Sequence, residues 1–283
     1  MRYKILLSIL AILGIGLSCG SEKKPLPAEI EFQTDFEVAR EMAIGSNSPM
    51  IIDFYTDWCR WCKVLDTVTY VDPLVVGMSL NNVFVKINAE VDTVLAQEYA
   101  ISGFPTIVIS KPDGEEIDRI WGYLGPTDFY NQVQLYFQGK ETLDDYLSRL
   151  EDEPENLDYL SMIGEKFTSR SRYDEAIEYY EKVVALDPDN EEGYGAKAMA
   201  SIYDTRGCAK DYAGAIATCE KISRMFRGTE EADDAVAMIG YYTAKAGDQK
   251  KALKIYREYI EEHPDSENAE WVKKRIADIE DSL

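Results

Sequence analysis

The chain has 283 residues with 52 acidic and 30 basic side chains, a formal net charge of −22. Nucleic acid and anionic lipid headgroups are therefore poor partners, since both are bound through Lys and Arg. At 46% hydrophobic and 29% charged residues the composition is that of a folded globular chain, long enough for about two domains. Five cysteines are too few for a disulfide-stapled scaffold, and the single histidine, His263, argues against a His-based metal centre or a Ser-His-Asp triad. No metal and no separate cofactor is expected.

At the N-terminus, Arg2 and Lys4 precede an uncharged apolar run over residues 5–17, the layout of a secretory signal peptide. The run is shorter than the ~20 apolar residues of a membrane span, so residues 1–18 read as a cleaved signal and 19–30 as a linker. The sequence Leu17-Ser18-Cys19-Gly20 and the polar stretch 21–27 resemble a bacterial lipoprotein signal, departing from it at Gly16, where Leu is usual. The resemblance implies a lipid on Cys19, a membrane anchor and residence in the cell envelope outside the cytoplasm, the periplasm. An ordinary cleaved signal and an uncleaved anchor are the alternatives.

From residue 31 to 140, apolar runs alternate with amphipathic ones. Residues 36–44 read as helix, 50–55 as a buried strand, 59–67 as helix, 83–87 as strand and 94–99 as helix. Strands are expected at 106–110 and 116–121, joined through the turn residues Lys111-Pro112-Asp113-Gly114. A helix over 127–137 closes the unit, with Thr127 as a candidate cap. The order predicts an α/β unit in which a parallel pair lies beside an antiparallel hairpin.

The chemistry is expected at Trp58-Cys59-Arg60-Trp61-Cys62-Lys63. A Cys-X-X-Cys directly after a buried strand places Cys59 at a helix start, where free N–H groups and the helix dipole stabilise a thiolate. Cys62 lies one turn further in, close enough to form a disulfide with Cys59 and to resolve a mixed disulfide there. Half a zinc site is the competing reading of the motif, but no second Cys-X-X-Cys or Cys-His pair occurs nearby.

Residues 31–138 resemble a thioredoxin domain. The matching pieces are Ile51-Ile52-Asp53-Phe54-Tyr55-Thr56-Asp57-Trp58-Cys59, Val85-Lys86-Ile87-Asn88, Gly103-Phe104-Pro105-Thr106 and Gly122. The segment between Cys62 and Val83, with Asp72-Pro73, is similar to the thioredoxin-like domains of exported bacterial thiol-disulfide reductases such as the carboxyl-terminal domain of DsbD. The resemblance implies an α/β thioredoxin fold, a central mixed sheet flanked by helices. It also implies a redox-active Cys59–Cys62 pair and a cis Pro105 that presents the backbone of Phe104 to a client. Asp53 is implied as a buried carboxylate that accepts the Cys62 proton, with Lys86 as its charged neighbour. Trp58, Arg60 and Trp61 are candidate client contacts, Arg60 favouring and Asp57 opposing a Cys59 thiolate. Arg60 and Trp61 replace the family's usual Gly-Pro, which leaves the potential and the partner surface open.

Residues 141–156 read as a connecting helix and a charged linker, and the remainder as all-helical. Residues 173–180 recur loosely at 211–219 and 249–256, and the anchors Ala176, Ala215 and Ala252 are 39 and 37 residues apart. These resemble tetratricopeptide repeats, whose unit is about 34 residues, over 157–190, 191–229 and 233–266, with a capping helix over 271–279. The middle unit fits least well. By resemblance, an all-α repeat domain of this kind offers a groove to a peptide or protein; a solvated spacer is the alternative. Cys208 and Cys219 flank the start of the middle unit's second helix and either bridge or remain free.

Two functions compete. One is an exported protein-disulfide oxidoreductase, with reduction favoured, that takes disulfide-containing clients and draws electrons from a membrane-borne thiol donor. The other is an adaptor lipoprotein in which the repeats act and the thioredoxin fold is a platform.

Overall fold

A computed structural model of the protein describes residues 26–281. The expected signal peptide, Cys19 and most of the 19–30 linker lie outside the described residues.

Four strands form one sheet in the order β2-β1-β3-β4: β1 (Met50–Tyr55), β2 (Val83–Asn88), β3 (Thr106–Ser110) and β4 (Glu116–Trp121). β1 is parallel to β2, with Asp53 opposite Lys86, and antiparallel to β3. The β3–β4 hairpin turns at Gly114, whose φ of 96° lies in the region that glycine adopts without strain. β1 is central because both its faces are apolar. Alternate side chains enter two cores: Ile51 meets Leu65, Phe84 and Phe129 on one face, while Met50, Ile52 and Phe54 meet Ala39, Ala43 and Val108 on the other. Asp53 shares the face of Ile51, so strand periodicity alone carries this carboxylate into the core.

Helix α1 (Phe36–Ser46) starts at Asp35, whose carboxylate accepts the Val38 N–H at 3.1 Å, and its buried residues are Ala39 and Ala43. The expected single helix after the cysteines is instead α2 (Arg60–Val64) followed by a π-helical turn, Leu65–Thr69. The cause is local. Tyr70 N–H reaches back to Leu65 O at 2.9 Å, and the Thr69 hydroxyl donates to Leu124 O at 2.8 Å. A short helix α3 (Pro73–Val76) and a 3₁₀ turn over Gly77–Leu80, absent from the sequence reading, lead to β2. α4 (Thr93–Glu98) precedes β3, and α5 (Pro126–Phe137) packs Phe129, Val133 and Tyr136 on the sheet. Thr127 does not cap α5. Pro126, with its fixed φ and no N–H to satisfy, takes the first turn after Gly125. α6 (Leu143–Asp152) is capped by Thr142, which accepts the Asp145 N–H at 3.1 Å.

The helical half consists of antiparallel pairs α7 (Leu157–Thr168) with α8 (Tyr173–Leu186), α9 (Gly195–Cys208) with α10 (Tyr212–Met225) and α11 (Glu230–Lys245) with α12 (Gln249–Glu262), followed by α13 (Ala269–Glu280). The pairs close on glycine. A Cβ at Gly164 would lie 2.6 Å from the Tyr180 ring, and one at Gly240 would lie 2.6 Å from Tyr256. The middle pair reverses the sizes: Tyr203 stands on its first helix and Cys219 on its second, both in one buried cluster. Cys208 is exposed, Cys219 is buried, and both are free thiols.

The two halves join along the edge strand β4. Asp118, fully buried, accepts from Lys166 Nζ and Arg170 Nη2, each at 3.0 Å, and from the Leu143 N–H at 2.7 Å. Arg119 Nη1 donates to Ser169 O at 2.9 Å. The end of α7 is thus fixed against the edge strand. No helix among the described residues is long and apolar enough to cross a membrane.

Candidate active site

Cys59 is the residue before the first turn of α2, and its sulfur accepts the Cys62 N–H at 3.0 Å. The helix therefore directs a free amide and the positive end of its dipole at this sulfur, the environment that favours a thiolate. Cys59 and Cys62 form a disulfide and are 4% and 2% exposed.

Exposed aromatics flank the pair. Trp58 is 67% exposed, donates its indole N–H to Glu90 at 3.0 Å, and meets the edge of Phe104 with ring centroids 5.8 Å apart. Trp61 is 53% exposed and stacks on Tyr123 at 5.4 Å, while the Arg60 guanidinium lies 5.9 Å from the Trp61 ring. Arg60 is thus held toward an aromatic face, and Asp57 accepts a hydrogen bond from Asn88 at 3.3 Å.

The Phe104–Pro105 peptide is cis, and Pro105 O accepts the Gly122 N–H at 2.9 Å. Gly103 is required beside it, because a Cβ there would lie 2.5 Å from Trp121 Nε1. The structure thereby brings Trp58 and Phe104 together and places Trp121, Gly122 and Tyr123 against both loops.

Asp53 is fully buried, and neither carboxylate oxygen has a hydrogen-bond partner among the described residues. Burial raises its pKa to about 7, opposed by the Lys86 ammonium and assisted by the charge of Asp66. The nearby Tyr70 hydroxyl lowers it slightly but stops short of hydrogen-bond geometry. Lys86 Nζ is 3.9 Å from Asp53 Oδ2 and pairs closely with Asp66. Three rings hold Lys86 there, Tyr55 at 5.0 Å, Phe32 at 5.4 Å and Tyr70 at 5.9 Å. Asp66 and Tyr70 were not singled out from sequence. Asp66 stands four residues after Cys62, one helical turn further along the same face, but only the fold shows that this face meets Lys86.

The sequence also matches known protein families. The thioredoxin family profile matches residues 31–134, and tetratricopeptide repeat profiles match 159–190 and 238–266. A thiol:disulfide interchange protein DsbD of Salmonella typhi is 29% identical over 119 residues, 39% of this chain and 21% of that protein. This chain thus spans about a fifth of the length of the curated DsbD relatives it matches. A thioredoxin of Pyropia yezoensis is 34% identical over 103 residues, 36% of this chain and 92% of that one. Among solved structures, mitochondrial thioredoxin 3 from Saccharomyces cerevisiae in its oxidized form matches with 28% identity and a TM-score of 0.29, over 37% of this chain and 93% of that one. With its Cys-X-X-Cys disulfide at a helix start, this chain belongs to the thioredoxin family of thiol-disulfide oxidoreductases and carries tetratricopeptide repeats behind that domain.

Proposed function

We propose that this protein is an exported protein-disulfide reductase, anchored in the cell envelope by lipid on Cys19, whose repeats bind clients or partners. The Cys59 thiolate attacks one sulfur of a client disulfide. A Cys59–client disulfide forms, and the other client sulfur leaves as a thiolate that takes a proton from water. Asp53 accepts the proton of Cys62. The Cys62 thiolate then attacks Cys59 Sγ, forming the Cys59–Cys62 disulfide and releasing the second client sulfur as a thiolate, which takes a proton from water. Two electrons pass to the client, and a membrane-borne thiol donor restores the dithiol. Trp58, Arg60, Trp61 and the Phe104–Pro105 backbone contact the client in this reading, and Lys86 steadies the ionised form of Asp53.

The observation that carries the proposal is a Cys-X-X-Cys pair at a helix start, fed by a strand whose buried Asp53 has a pKa raised to about 7. A carboxyl poised near neutrality exchanges a proton efficiently at physiological pH. Measuring the potential of the Cys59/Cys62 pair tests the direction. A value near that of thioredoxin, about −270 mV, supports reduction, and one near that of DsbA, about −120 mV, reverses it. Cys62→Ser is expected to trap clients covalently on Cys59. An empty trap with a stable noncovalent complex through residues 157–266 would make the protein an adaptor.

A further inference from the structure

A cavity of about 910 Å³ runs along the face made by α7, α9, α11 and α13. Its charge is inverted relative to the chain. The whole sequence has 52 acidic to 30 basic residues, yet the cavity is lined by Lys197, Lys210, Lys245 and Arg275 against Glu165 and Asp204. Lys197, Lys210 and Lys245 form no ion pair among the described residues. Asp204, open to solvent but crowded by the walls, accepts the Tyr242 hydroxyl at 3.0 Å, and that crowding raises its pKa to about 6. The wall also carries aromatic faces, with Tyr212 stacked on Tyr242 at 6.4 Å and Tyr241 against Trp271 at 6.2 Å.

Three consecutive residues link the cavity wall to the redox site. Trp121 forms part of its wall and lies over Gly103. Gly122 donates its N–H to Pro105 O at 2.9 Å. Tyr123 stacks on Trp61, within the Cys-X-X-Cys motif, at 5.4 Å. The buried Asp118–Lys166–Arg170 cluster ties β4, which ends at Trp121, to the end of α7. A chain lying in the cavity is thereby held in fixed relation to the disulfide.

We propose that this cavity selects the clients of the reductase, binding an extended, acidic segment with aromatic or large aliphatic side chains that flanks the reactive cysteine of the client. The inference rests on the reductase reading for what happens next, but the binding itself does not require it. Cations along a concave wall attract carboxylates and repel lysines, so the discrimination is electrostatic and salt-sensitive. The aromatic faces take up the intervening apolar side chains.

The test uses the full chain and two cysteine-free fluorescent peptides of equal length. One alternates Glu with Phe and Leu, and the other carries Lys in place of each Glu. Fluorescence anisotropy is expected to show at least tenfold tighter binding of the glutamate peptide at low salt, with most of the difference gone in 1 M salt. Lys210→Glu with Lys245→Glu is expected to reverse the preference, a gain that misfolding cannot produce, whereas Lys254→Glu on the outer face of α12 leaves it unchanged. Equal binding of the two peptides, or a preference for lysine, overturns the inference. So does self-association that the glutamate peptide fails to compete. Reduction of a small aromatic disulfide by the same protein, with a small dithiol as electron donor and compared with the dithiol alone, reads the reductase proposal separately. Turnover without peptide discrimination removes only the selecting cavity, and discrimination without turnover removes only the reductase.

Discussion

At the scale of single residues, the behaviour of the site turns on how Asp53 shares Lys86 with Asp66. The folded chain holds a proton on Asp53 that the unfolded chain releases near pH 4, because burial raises the folded pKa to about 7. Stability therefore falls as pH rises from about 4 to about 7 and levels off above that window. Asp53→Asn removes the cost of burying the charge. Denaturant unfolding of the oxidised protein is expected to show a gain of up to about 4 kcal/mol at pH 8 and little change at pH 4, from the 3.8-to-7 shift at 1.36 kcal/mol per unit. The same variant is expected to slow the resolving step of client reduction near neutral pH. Asp66 acts on this carboxyl indirectly, drawing Lys86 toward itself and repelling the ionised form. Asp66→Asn should lower the Asp53 midpoint by about one unit, read by NMR titration of the carboxyl carbon, and an unchanged or higher midpoint would refute the coupling. Asp53 and Lys86 were legible in sequence through flanking motifs. Asp66 was not, because its partner comes from a strand twenty residues away.

At the scale of elements, the repeat pairs obey a rule of sizes. Units one and three set a glycine against a tyrosine, and the middle unit sets Tyr203 against Cys219. Cys219 is therefore a small buried residue that makes room for its neighbour, and burial pushes its thiol pKa well up, away from reactivity. Cys219→Tyr is expected to destabilise the chain by about 1–3 kcal/mol through overpacking. Adding Tyr203→Gly should recover much of that loss, a coupling that a double-mutant cycle measures directly. Gly164→Ala, which raises helix propensity, is nonetheless expected to lower the melting temperature, because its Cβ would fall 2.6 Å from Tyr180. The anchors Ala176, Ala215 and Ala252 made the repeats visible in sequence; the middle unit fits poorly there through extra residues near 206–210 and Arg227 in place of proline, and the fold adds this exchange of sizes. The π-helical turn at Leu65–Thr69 was hidden, since Leu124, which takes the Thr69 hydroxyl, is 55 residues distant.

At the scale of the whole molecule, the buried charges along β4 make one body of two domains. Burial lowers the pKa of Lys166, and Asp118 counters that by supplying the opposite charge. Asp118→Ala leaves Lys166 and Arg170 without their shared acceptor and is expected to cost about 3–5 kcal/mol. Calorimetry is then expected to resolve two transitions where the parent chain gives one, and a single unshifted transition in the variant would mean that Asp118 does not couple the halves.

Two kinds of property separate here. The strands, most helices, the redox motif and the small-residue anchors of the repeats are written in local pattern, since each depends on side-chain period or on residues within a few positions, and the cis proline came through the family resemblance. The pairing of Asp66 with Lys86, the seating of Trp121 against Gly103 and the concentration of cations in one cavity belong to the folded chain alone. Residues far apart in sequence must first share a low-dielectric interior or a concave wall before their charges and shapes act on one another.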